Sequence, residues 1–149
     1  MLVKIPARNI IFQVQQTDGI TWVPVGGLSE VQVDPSANSA KADTTTFDSA
    51  GNYEEQIMQR GATITLSGLL LKDNLTGEQD TGQARIDLLA AQTGAESIGM
   101  VRFRHPMDTA WKVWNATFEP SAFGGKNNDE SSWGAKINRS GASTSVDLP

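Results

Sequence analysis

Apolar and polar positions alternate most clearly between Ala62 and Leu71, where Ala62, Ile64, Leu66, Gly68 and Leu70 fall on one face of an extended chain. Thr63, Thr65, Ser67, Leu69 and Leu71 fall on the other, polar at first and apolar later. Period-two patterning of this length predicts a strand with one buried face. The same pattern predicts strands over Ile10 to Gln15, Ile20 to Val25, Leu28 to Val33, Ile98 to Arg104, Trp111 to Glu119 and Ser131 to Asn138, with a last edge from Ser143 to Leu148. Thr17-Asp18-Gly19 joins the first two as a hairpin, because Asp-Gly readily adopts the positive φ of tight turns. Pro24 puts the second of them at a sheet edge, since proline has no N–H to give to a ladder.

One segment changes period. Ile86, Leu89, Ala90 and Thr93 recur at helical spacing, and Leu88 widens the stripe. Asp80 stands at the N-cap, Gln83 follows three residues later in a capping-box arrangement, and Gly94 marks the stop. The apolar stripe of this one helix must pack on a sheet.

A second segment shows no clear period. Lys41 to Phe47 can be extended, but Asp48 to Gln56 has little patterning, and the polar stretch reaches Gln59. A polar loop this long inside a compact domain is mobile or functional. Phe47 and Tyr53 are stranded in it, which implies ordering against another surface. The expected fold is therefore mainly β (α+β): a single β-sandwich or barrel-like domain over residues 1–149, with one packed helix and a long polar loop at about 41–59.

Composition supports this. Hydrophobic residues make up 38% and charged residues 19% of the chain, both low for a compact domain; Gly, Ser, Thr, Asn and Gln fill the difference. The absence of cysteine removes disulfides and thiolate metal sites, so stability must come from packing and assembly. A net charge of -5 with scattered cations argues against a nucleic-acid binder; Arg102, Arg104 and Lys112 come nearest to a cluster. No apolar run is long enough for a membrane anchor, and the N-terminus has no signal-peptide pattern.

Reactive constellations are missing. His105 is the only histidine, it precedes a proline at a strand end, and there is no nucleophile-elbow motif. Glu54-Glu55 and Asp129-Glu130 are adjacent pairs, which on a strand point to opposite faces and in a loop are solvated. Asp73 to Glu78 lacks the alternating oxygen ligands and closing glutamate of a calcium loop. Gly26-Gly27 and Gly124-Gly125 read as turn glycines. The expectation is a non-enzyme with no cofactor and no metal. Of four tryptophans, Trp114 and Trp133 read as core, while Trp22 and Trp111 are candidates for exposure, as a sugar platform or an interface anchor.

The order of elements, together with Gly26-Gly27-Leu28-Ser29, Thr44 to Ser49 (TTTFDS), Arg60 to Leu66 (RGATITL), Gly77 to Gln83 (GEQDTGQ) and Asp129 to Gly141 (DESSWGAKINRSG), resembles the major tail proteins, or tail tube proteins, of long-tailed bacteriophages. The resemblance runs over nearly the whole chain. It implies a structural virion protein, made in the host cytoplasm, that partners itself in hexameric rings stacked into a hollow tail tube. Other tail proteins would meet the tube ends, and genomic DNA would be ejected through the lumen without specific binding. It implies that the loop contacts a neighbouring ring through Phe47, Asp48, Tyr53, Glu54 and Glu55, with Met1 to Arg8 and the tail after Ser143 as further contacts. A tube of a phage-tail-like bacteriocin or secretion device fits the same features, and a carbohydrate-binding β-module using Trp22 and Trp111 is the reading from another class.

Overall fold

The computed structural model describes residues 1–149. The expected strands are present within two residues of the boundaries read from the pattern: β1 (Ile11–Gln15), β2 (Trp22–Pro24), β3 (Leu28–Asp34), β6 (Thr63–Leu69), β7 (Gly99–Arg104), β8 (Ala110–Pro120), β9 (Ser132–Arg139) and β10 (Thr144–Asp147), while β4 (Ala40–Asp43) and β5 (Glu55–Gln59) lie where the pattern predicts a polar loop. Eight of them form one antiparallel sheet, ordered β2-β1-β7-β8-β9-β6-β3, with β10 also on β8. The long β8 is shared: Ala116 to Pro120 pairs with β9, and Ala110 to Val113 pairs with β10. β4 and β5 pair only with each other.

Alternation within each strand sets which residues meet. Phe12 and Val14, Ile64 and Leu66, Val101 and Phe103, Trp114, Ala116 and Phe118, and Ala135 and Ile137 all join one buried cluster. Phe103 meets Trp114 edge to face at 5.3 Å. Trp114 and Trp133 are both core, as the pattern implied. The sheet curls, so its end strands β2 and β3 face each other across a cleft of about 520 Å³ lined by Ile11, Phe12, Pro24, Val25, Leu28 and Val31. The expected barrel-like domain is thus a barrel with an open seam. Pro24 lies on the edge strand, as expected.

The helix α1 (Thr81–Ala90) packs on β8, β1 and β2, burying Ile86 and Leu89. Asp80 caps it, accepting a hydrogen bond from the Gln83 backbone N–H at 3.2 Å. The reciprocal half of the capping box is not made. The Gln83 side chain, fully buried, instead accepts from the Leu71 N–H and donates to the carbonyls of Gly26 and Leu69. It laces the β2–β3 turn to the end of β6. Gly27 in that turn has φ +72, and a Cβ there would sit 2.6 Å from the Leu69 carbonyl oxygen, so both the turn and the approach require glycine. The helix also ends earlier than its stripe suggested: Ala91 closes it, and Thr93 and Gly94 belong to the following turn, where a 3-10 helix spans Gly94–Ser97.

Candidate assembly surfaces

The segment expected as a polar loop is an arm. β4 and β5 form an antiparallel ribbon with a bulge between Ala40 and Lys41, and a 3-10 turn at Phe47–Ser49 makes its tip. The tip is built by local polar contacts. The Ser49 Oγ accepts from the Thr46 N–H, the Thr45 Oγ1 accepts from the Glu54 N–H, and the Asp43 carboxylate accepts from the Thr45 N–H. The first cause of the lowered Asp43 pKa is its interaction with the Thr45 side chain, followed by the backbone hydrogen bond. Ala50 takes a left-handed conformation at φ 55 to close the turn.

The structure places the five arm residues singled out from the sequence as follows. Phe47 is fully exposed at the tip, and neither Asp48 beside it nor Glu54 makes a side-chain hydrogen bond or ion pair. Tyr53, 67% exposed, donates its hydroxyl to Glu55, and that bond, followed by desolvation and the carboxylate charge, raises the Tyr53 pKa. Glu55 also meets Lys41 at 3.4 Å. Ile57 and Met58 are exposed on β5. The arm therefore brings the five together on one projection, split between a tied pair (Tyr53, Glu55) and an untied group (Phe47, Asp48, Glu54).

The remaining free surfaces are backbone. β3 is paired on one side only, with β6. Its other edge offers backbone donors and acceptors along seven residues, a template for another chain. β2 is a three-residue edge that ends in Pro24, and β10 is a short, fully exposed edge. Along β3, β6 and β9 the sheet face away from the core carries Glu30, Gln32, Thr63, Thr65, Lys136 and Asn138 by register. It is polar except for Leu69 at the end of β6, and it holds no aromatic residue.

The tryptophans occupy the same outer side further along. Trp111 is buried, only 7% exposed, not the exposed platform its position suggested, and Trp22 is half-buried. The cause is cross-strand. The Arg102 guanidinium lies between the two indoles, 4.5 Å from the Trp22 ring centre and 4.2 Å from that of Trp111. Arg104 adds a second cation over Trp111 at 4.9 Å. Arg102 also donates to Gln13 at 2.7 Å. Burial, then the charge of Arg104, lowers the Arg102 pKa. In the sequence Arg102 and Arg104 stand out only as the nearest approach to a cationic cluster, with Lys112; strand register is the signal that joins them to the tryptophans.

The other candidate groups have local structural partners. Asp73 accepts from the N–H groups of Leu75 and Thr76, turning the loop that a cation would have needed open. Asp129 accepts from the Lys126 N–H. His105 and Asp108 are 3.8 Å apart and both largely exposed. No group of three or more His, Cys, Asp or Glu side chains is placed to hold a metal ion. No helix is long and apolar enough to cross a membrane.

Two solved structures share this architecture over nearly its full length. One is a chain of the tail of an empty gene transfer agent particle with sixfold (C6) symmetry, at TM-score 0.67, 19% identity, and coverage of 93% of this chain and 96% of that one. The other comes from the virion of a native gene transfer agent particle, at TM-score 0.62, 17% identity, and coverage of 95% and 98%. No protein-family model and no curated protein matches the sequence. The mainly-β fold expected from the pattern is the fold found, and a chain of a gene transfer agent tail shares it.

Proposed function

We propose that this chain is a structural tail protein whose copies close into hexameric rings and stack into a tube. The observation that carries this reading is the fold shared, from one end of the chain to the other, with a chain of a sixfold-symmetric tail. Three features of the chain support it. The unpaired β3 edge and the short β2 and β10 edges require partners that a ring supplies head to tail. The arm exposes Phe47 and Tyr53 with nothing of its own chain to cover them. The mostly polar, aromatic-free face of β3, β6 and β9 suits a lumen through which DNA slides without stacking or binding. Inter-ring contact falls to Phe47, Asp48, Tyr53, Glu54 and Glu55. A carbohydrate platform is disfavoured because a guanidinium already covers the Trp111 ring.

The test is negative-stain electron microscopy of the concentrated protein. Rings or tubes about six subunits around are expected, and a particle that stays monomeric at every concentration overturns the reading. Deleting Asp48 to Glu55 leaves a folded body that no longer stacks; tubes assembled from that variant would remove the arm from the inter-ring role.

A further inference from the structure

The Arg102–Arg104 cluster has an electrostatic loose end. Its two guanidiniums share one side of the sheet, and the residues that register places around them, Gln13, Gln15, Val113, Thr144 and Val146, carry no carboxylate. The ion pairs of the chain are Lys41 with Glu55 and His105 with Asp108, so neither arginine has a counter-ion. Asp108, close in sequence, spends its carboxylate on the His105 backbone N–H. Arg104 turns its Nη1 to the carbonyl oxygens of His105 and Pro106, and its Nε is buried with no acceptor. A buried donor without a partner is destabilising, and a guanidinium is shaped to take a carboxylate through two parallel bonds.

The arm shows the opposite imbalance. From Asp43 to Glu54 it carries Asp43, Asp48 and Glu54 and no cation. Asp43 accepts from the Thr45 N–H, which leaves the exposed Asp48 and Glu54 carboxylates free on the same projection as the exposed Phe47 phenyl. Anion and aromatic on one projection meet cation and aromatic on one sheet face.

Resting on the self-assembly proposed above, we infer that the arm tip of one copy seats on the Trp22–Arg102–Trp111–Arg104 face of another, with Asp48 and Glu54 pairing the guanidiniums and Phe47 lying against the half-buried Trp22 indole. The occupant is a second copy of this chain because the chain itself supplies the complementary charge and the complementary apolar group. The tip thereby neutralises the arginine cluster, and the cluster covers Phe47, the most exposed aromatic of the monomer.

Because the chain has no cysteine, the contact can be trapped cleanly. Asp48→Cys protein is mixed with Val146→Cys protein, residue 146 being half exposed and opposite Trp111. The mixture is oxidised after assembly and mapped by mass spectrometry. A disulfide between positions 48 and 146 is expected, with neither single-variant preparation giving it. Assembled rings or tubes without that link overturn the docking while sparing the self-assembly reading; no assembly in the unmodified protein overturns both. In a second arm, Asp48→Arg raises the concentration needed for assembly by about tenfold or more, and Arg104→Glu in the same chain restores it. Tryptophan near-ultraviolet dichroism checks that each variant is folded, and folded single variants that assemble as readily as the unmodified protein overturn the pairing. Retention of short duplex DNA at physiological salt, lost in Arg102→Gln, would assign the cluster to phosphate and overturn the inference.

Discussion

The curled sheet and the β4–β5 arm are both antiparallel β-structure, yet they place their apolar side chains oppositely. The body turns alternate residues of seven strands into one cluster, reinforced by α1. The arm has no buried residue in either strand: every position of β5 is exposed, and only Ala42 of β4 is partly covered. Ladder bonds alone hold an isolated two-stranded ribbon marginally, so the arm is held by tip contacts and by its roots in the body. Regular backbone pairing is therefore common to both regions, while burial separates what holds a chain together from what joins it to another.

That division can be broken or sharpened by substitution. The largest effect is expected in the body. Leu66→Ala, at a fully buried position, should cost about 2–5 kcal/mol in a denaturant melt. Gln83→Ala comes next, because it leaves the Leu71 N–H and the Gly26 and Leu69 carbonyls unpartnered at the seam; a loss of about 1–3 kcal/mol is expected. If Gln83→Ala melts like the unmodified protein, the seam does not depend on this side chain. Phe47→Ala, at the arm tip, should shift the melt by no more than about 0.5 kcal/mol while abolishing or strongly weakening assembly by sedimentation. A Phe47→Ala protein that is destabilised would show that the tip belongs energetically to the body.

The smallest effect is a pH dependence at the β1–β2 turn. Asp18 is held down to about 2 from 3.8, first by the Thr21 hydroxyl, then by the backbone N–H groups of Thr21 and Ile20. A carboxylate with a depressed pKa in the folded state stabilises it fully above 3.8, and that contribution fades as pH falls to about 2. Amide protection at Ile20 and Thr21, relative to the intrinsic exchange rate at each pH, should fall over that window and not in Asp18→Asn. The same window with unchanged protection would mean that the turn does not rely on the charge.

Strands with one buried face were legible because burial imposes alternation that the sequence must respect. Ile64 and Leu66, or Val101 and Phe103, could be read directly. Glu55–Gln59 could not, since a strand exposed on both faces leaves no period to find. The arm thus read as a loop, though its isolated aromatics were already visible as an oddity. Trp111 was misjudged for another reason: its cover comes from Arg102 and Arg104 on the neighbouring strand, and only register shows which side chains lie over a ring. Gln83 was assigned to a cap because its spacing from Asp80 fits one, but the buried carbonyls beyond the helix offered it stronger partners. Helix length was overestimated because Thr93 continues the stripe after the backbone has turned away.

The placement of the arginine–tryptophan face in the chain has a consequence for biogenesis. Trp22 is laid down early, but Arg102 and Arg104 come with β7, Trp111 with β8, and the flanking Val146 with β10. The ladder that aligns them joins β1 to β7 across most of the polypeptide, and contacts between such distant segments form late. Where the arm docks as inferred, a ribosome-bound fragment carries the plug long before it has a socket, so polymerisation has to wait for translation to finish.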